Sequence, residues 1–207
     1  MKLFGYGEDA LTLWALTTKC QNVLLALGDN SHLDKCTLIY RPSFGRKGGP
    51  KNAQFGEFDF ILNTPNTLYL GESKWDKSPE LKERPIRLRD EQAERHKVFA
   101  VYYRTWISRP QWSVSDFFDS SRAQFLMEHL HKPTPRPITI LARNLISILK
   151  ICAHVTNGTD SIRNVLLITD SSGNLRLSPA DVPNDFALVY INAAESLKDG
   201  LIPLDLR

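Results

Sequence analysis

The sequence predicts an α/β protein in which helices flank a mixed central β-sheet. Three observations carry that prediction. Residues 8–27 repeat their apolar side chains every three or four positions, as a helix with one buried stripe does. Residues 57–75 alternate with period two around a short polar break, the pattern of two strands joined as a hairpin. Two compact apolar runs, 165–169 and 186–191, are bounded by Asp, Gly, Pro and Asn and read as buried strands. Helix, strands, helices and strands in that order suit layers packed on one sheet, and 207 residues suffice for a single domain, 1–207, with a sizeable core.

In the opening helix Leu13, Leu16, Cys20, Val23, Leu24 and Leu27 form the stripe, and Gly28-Asp29-Asn30 ends it. Residues 37–40 are short, apolar and β-prone, with Pro42 just beyond, and give the first strand. Residues 43–54 are polar and rich in Gly and Lys, hence a loop. Over 57–62, Phe58, Phe60 and Leu62 share one face and Glu57, Asp59 and Ile61 the other. Asn63-Thr64-Pro65-Asn66 has turn chemistry, and 67–75 is extended again, with Leu68, Leu70, Glu72 and Lys74 on one face. An acid and a lysine therefore lie beyond an apolar floor, where a solvated strand face would stay polar.

After a linker at 78–85, residues 87–106 carry Leu88, Val98, Phe99, Tyr102, Tyr103 and Trp106 at helical spacing, with Gln92 and His96 one turn apart. A helical insertion is predicted over 111–156. It comprises a helix at 121–131, a break at Pro133, Pro135 and Pro137, and a helix at 138–155 whose first four residues also suit a strand.

Composition excludes several classes. With 42% apolar and 24% charged residues the chain lies in the ordinary globular range, away from disordered and fibrous proteins. No apolar run approaches the roughly 18 residues of a membrane span, and the N-terminus lacks an apolar signal core, which predicts an intracellular, cytoplasmic protein with no membrane partner. Cys20, Cys36 and Cys152 are odd in number and lack CxxC spacing, so they read as buried thiols rather than a disulfide framework or zinc site. The histidines show neither HExxH nor HxH spacing, and Gly48-Gly49 lacks a Walker pattern. The net charge of +3 is small but unevenly spread. Arg41, Arg46, Lys47 and Lys51 fall in one stretch without an acid, and Lys82, Arg84, Arg87 and Arg89 in another containing only Glu83. Such runs serve either as solvated faces or as contacts for a phosphate backbone, with Arg41, Arg46, Lys47, Lys51, Arg84 and Arg87 the candidates.

The chemistry concentrates on Asp59, Glu72 and Lys74. Residues opposite one another on adjacent strands sit roughly 5 Å apart, close enough for two carboxylates to share one cation. Magnesium prefers oxygen ligands and often takes only one or two protein carboxylates, keeping several waters. Lys74 brings a compact cation to the same face, suited to orienting a water or stabilising charge on a phosphorane.

The stretch Gly56-Glu57-Phe58-Asp59-Phe60-Ile61-Leu62 followed by Leu70-Gly71-Glu72-Ser73-Lys74-Trp75 resembles the PD-(D/E)xK nuclease superfamily, over about the first 105 residues. Phe58 stands where the proline that names the motif would be. The resemblance implies a restriction-endonuclease-like sandwich and a Mg²⁺- or Mn²⁺-dependent endonuclease acting on DNA. It implies Asp59 and Glu72 as metal ligands and Lys74 as the residue assisting the water. It also implies an acid from the first helix, Glu8 or its neighbour Asp9, and a polar residue from the helix after the lysine strand, Gln92 or next His96. Glu8 equally suits the first turn of any helix, through the dipole. A homodimer follows by analogy with scaffolds that pair to cut both strands. The alternative function is a catalytically silent nucleic-acid-binding or assembly protein on the same fold.

Overall fold

The computed structural model describes residues 3–45, 52–109, 111–120, 128 and 132–204. The chain opens with the short strand β1 (Leu3–Gly5), which pairs antiparallel with β7 (Ile202–Leu204). Neither partner has enough length or alternation to stand out in the sequence.

The opening helical segment is two helices, α1 (Gly7–Thr18) and α2 (Cys20–Ala26), where the apolar stripe predicted one. The break falls at Lys19, whose φ of −113° and ψ of 17° leave the helical region. Just before it the Thr17 hydroxyl donates back to the Leu13 carbonyl, a side-chain bond that competes with the backbone ladder. Gly28, at φ 72°, turns the chain out of α2.

The central sheet runs β2–β3–β4–β5–β6, from β2 (Thr37–Tyr40), β3 (Phe60–Asn63), β4 (Leu68–Trp75), β5 (Ile162–Asp170) and β6 (Phe186–Asn192). The first three strands pair antiparallel and the last three parallel, so the sheet is mixed as predicted. β3 starts later than the alternation suggested. Glu57 makes only an isolated bridge to Ser43, and Asp59 lies just outside the ladder while its N–H still donates to the Gly71 carbonyl.

Helices cover both faces. On one, Leu11, Trp14, Ala15, Val23 and Leu24 of α1 and α2 pack on Phe60, Leu62, Tyr69, Val165, Leu167 and Val189. On the other lie α3 (Asp90–Ile107), α4 (Val114–Asp119) and α5 (Ile140–Val155), packed with Ile61, Leu68 and Leu70. The stretch read as an insertion is therefore part of the main core, since Ala142, Leu145, Ile146, Leu149 and Cys152 of α5 are buried in it. The helix expected at 121–131 lies outside the described residues, apart from Glu128. Tyr102, Tyr103 and Trp106 fill the core, as their spacing on α3 required. All three cysteines are free. Cys20 and Cys152 are buried, but Cys36 is half-exposed because it follows a surface turn of 3-10 helix at Leu33–Lys35.

The hairpin between β3 and β4 is fixed from outside by Asp29. Its carboxylate accepts the Ser31 N–H at 2.9 Å, the Thr64 hydroxyl at 2.8 Å and the Tyr69 hydroxyl at 2.9 Å. Burial works to raise its pKa, yet these donors prevail and the carboxyl is held below its ordinary value. Asp170, fully buried at the end of β5, is caged likewise by Tyr190 Oη, Ser172 and the N–H groups of Gly173 and Leu175. The turn predicted at Asp170-Ser171-Ser172-Gly173 is thus built on one carboxylate. Among the described residues no helix is long and apolar enough to cross a membrane.

Candidate functional site

The ladder of β3 on β4 ends with Phe60 opposite Gly71; at the next step the Asp59 N–H still donates to the Gly71 carbonyl, and its carboxyl comes beside Glu72 and Lys74. Gly71 makes that step possible. A Cβ there would lie 2.1 Å from Cζ of Phe60, whose ring needs the space. Asp59 Oδ2 accepts the Ser73 N–H at 2.7 Å, which draws the aspartate toward the segment carrying Glu72 and Lys74.

Glu72 is 1% exposed and its carboxylate is fully engaged from α3. Gln92 Nε2 donates to Oε2 at 2.7 Å, while Oε1 takes Arg95 Nη1 at 2.9 Å and faces His96 Nε2 at 3.3 Å. Gln92 is itself fixed, because its Oε1 accepts the Arg89 N–H at 3.1 Å where α3 begins. His96 is held through Nδ1, 2.9 Å from Asn164 Oδ1 on β5.

At the end of β4, Lys74 is 6% exposed and its Nζ lies 3.8 Å from Glu8 Oε1. Glu8 comes from the first turn of α1 and also accepts Ser78 Oγ–H at 2.5 Å and the Trp75 N–H at 3.3 Å. Of the two acids open in the sequence, Glu8 reaches the lysine, whereas Asp9 pairs with Arg41. Asp59, Glu72, Lys74 and Glu8 share one electrostatic environment. Burial first, and then the charge of Glu72, push the Asp59 carboxyl up to about 7, against the opposing pull of the Ser73 N–H and Lys74.

The basic candidates are placed less uniformly. Arg46, Lys47 and Lys51 lie outside the described residues. Arg41 is exposed, but Asp9 and Glu57 neutralise its guanidinium. Arg84 is exposed and bonds the carbonyls of Leu81 and Glu83, with Nε 3.7 Å from Asp181. Arg87 is exposed and lines a cleft of about 480 Å³ with Ile86, Leu88, Val182 and Phe186.

Sequence reasoning missed Arg95. Gln92, Arg95 and His96 stand at i, i+3 and i+4, which puts them on one helix face. That spacing, facing a strand with a buried glutamate, was the available signal.

Hard oxygens are the donors present, and Asp59 with Glu72 are the carboxylates that could hold a divalent cation. Among the described residues no group of three or more His, Cys, Asp or Glu side chains is drawn together tightly enough to hold a metal. Comparison with protein-family models, with curated proteins and with solved structures finds no match for this chain.

Proposed function

We propose that this chain is a Mg²⁺- or Mn²⁺-dependent endonuclease that hydrolyses phosphodiester bonds in DNA, on a restriction-endonuclease-like fold. The observation that supports it most is the closeness of the Asp59 carboxyl to Glu72, with Asp59 bonded to the Ser73 N–H one residue along. There a carboxyl is forced to keep its proton up to about 7 by burial and by its neighbour. Two acids so placed are costly without a cation, and functional sites are where such costs are tolerated. Their oxygens suit a hard divalent ion, which when bound would neutralise phosphate charge and lower the pKa of a water.

In this reading Asp59 and Glu72 hold the ion, with Glu8 completing the site from α1. Lys74, desolvated and steered by Glu8, orients the attacking water. Gln92 keeps Glu72 in position through its bond to the start of α3. Arg84 and Arg87, with Arg46, Lys47 and Lys51, would contact backbone phosphates and supply affinity without sequence information, while Arg41 is already paired with Asp9 and Glu57. A homodimer would present two such sites to the two strands.

A second reading is a nucleic-acid-binding or assembly protein without turnover. It is favoured by one observation: both oxygens of Glu72 already have protein partners. The deciding experiment incubates the protein with plasmid, single-stranded and branched DNA, with Mn²⁺ and with chelator. Cleavage that requires the metal supports the endonuclease. Absence of cleavage of every form, together with absence of Mn²⁺ binding, leaves the silent reading.

A further inference from the structure

We propose that Arg95 is a working residue of this site, holding on Glu72 the place that a divalent cation takes when it binds. The inference rests on the endonuclease reading above and adds how that site is kept before the metal arrives.

Arg95 Nη1 lies 2.9 Å from Glu72 Oε1 and also donates to the Glu57 carbonyl. The guanidinium stacks over Phe58, its carbon 5.7 Å from the ring centroid. Gly56, at φ 97°, leaves room for it: a Cβ at that position would lie 3.2 Å from both Nε and Nη2. The left-handed backbone here calls for glycine in its own right, and the missing side chain also keeps the approach to the guanidinium open. Yet Nε is buried with no hydrogen-bond partner. A guanidinium kept only for stability is normally satisfied all round, because a buried unpaired donor costs free energy.

Glu72 is a buried carboxylate and needs a positive partner. Oε1 faces Arg95 in this state, so a cation arriving between Asp59 and Glu72 meets a fixed positive charge within contact distance of its own ligand. Repulsion between two cations at such separations is large in a partly desolvated site. Metal binding is then an exchange in which the ion replaces the guanidinium on Oε1. The freed Arg95 keeps a fork of donors suited to phosphate oxygens. A residue that merely positions Glu72 behaves in the opposite way, since removing it would disorder the ligand and weaken the metal.

The two roles differ in sign, and Mn²⁺ titration of the full chain by calorimetry reads that sign. Arg95→Met is expected to bind Mn²⁺ about tenfold tighter than the wild type or more, and Arg95→Lys to stay near the wild-type value because the positive charge is kept. Equal or weaker binding by Arg95→Met, with a native circular dichroism spectrum, overturns the exchange while leaving the endonuclease reading in place. Failure of both wild type and Arg95→Met to bind Mn²⁺ overturns both. Should Arg95→Met not fold, the wild type answers alone through its ¹⁵N-labelled arginine side chains. Titration with Mg²⁺ is expected to shift one buried Nε–H resonance, and an unmoved spectrum at metal saturation overturns the proposal.

Discussion

Asp59 Oδ2 accepts the Ser73 N–H at 2.7 Å, which hooks the aspartate to the one residue lying between Glu72 and Lys74. Ser73 in turn meets Thr12 of α1, 2.6 Å between their hydroxyl oxygens, so both helical layers are registered on the same three residues of β4. Asp59 is thus held by a backbone N–H, whereas Glu72 is held by the side chains of α3.

Removing Asp59 or Lys74 should spare the fold, while Glu72→Ala leaves Arg95 and His96 without this acceptor and should lower the thermal midpoint. Asp59→Ala, Glu72→Ala and Lys74→Ala are each expected to lower metal-dependent plasmid cleavage by at least about a hundredfold, with the thermal midpoint still measurable as one transition. Full metal-dependent activity in Glu72→Ala would reject the assignment of the site.

The hairpin depends on an acid far from that chemistry. Asp29→Ala strips the Tyr69 hydroxyl and the Ser31 N–H of their acceptor and leaves the Thr64 hydroxyl only the Thr67 carbonyl at 3.2 Å. Tyr69 is 1% exposed, so its hydroxyl has no water to turn to. The expected loss is about 2–4 kcal/mol in urea denaturation. A change below 0.5 kcal/mol, on the order of a neutral surface substitution, would show that the hairpin does not need the anchor.

Gly71→Ala drives a methyl into the Phe60 ring and should cost about 2–3 kcal/mol by overpacking. Because Gly71 sits directly before Glu72, cleavage should fall as well. The double variant Phe60→Leu/Gly71→Ala is expected to recover part of the stability. If it is no more stable than Gly71→Ala alone, the clash is not the cause.

Asp170 sets a pH dependence. Burial alone would raise its pKa, but bonds from Tyr190, Ser172 and Leu175 hold the carboxyl down to about 2. Since an unfolded aspartate titrates near about 3.9, its contribution is fully present above that pH and is lost as pH falls toward about 2. The loss should be on the order of 1–2 kcal/mol between pH 5 and pH 2, read from urea midpoints. Asp170→Asn is expected to flatten that slope, and an unchanged slope in the variant would assign it to other carboxylates.

The sequence carried the sheet well and the site only in outline. β2 ends where Pro42 lies just ahead, and the turn at Asn63-Thr64-Pro65-Asn66 fixed a register that ends with Phe60 across from Gly71 and so brings Asp59 near Glu72, because alternation and turn chemistry are local. Lys19 was not legible as a helix break, since its neighbours keep the apolar stripe running through it. Nor could β1 and β7 be read, as their pairing joins positions at opposite ends of the described chain. Arg95 illustrates the limit most plainly. Its spacing with Gln92 and His96 is visible, but which strand that helix face meets is decided by long-range packing that no local pattern states.

β4 finds its parallel neighbour β5 only after α3, α4 and α5 have been laid down. A chain emerging from the ribosome can close the β2–β3–β4 meander early, yet it must carry one bare margin of β4 until the last quarter is synthesised. That margin belongs to a largely apolar, buried strand and is ready to recruit another one. A fragment ending at residue 157 should accordingly precipitate or bind thioflavin, and adding a peptide covering 160–172 should restrain it.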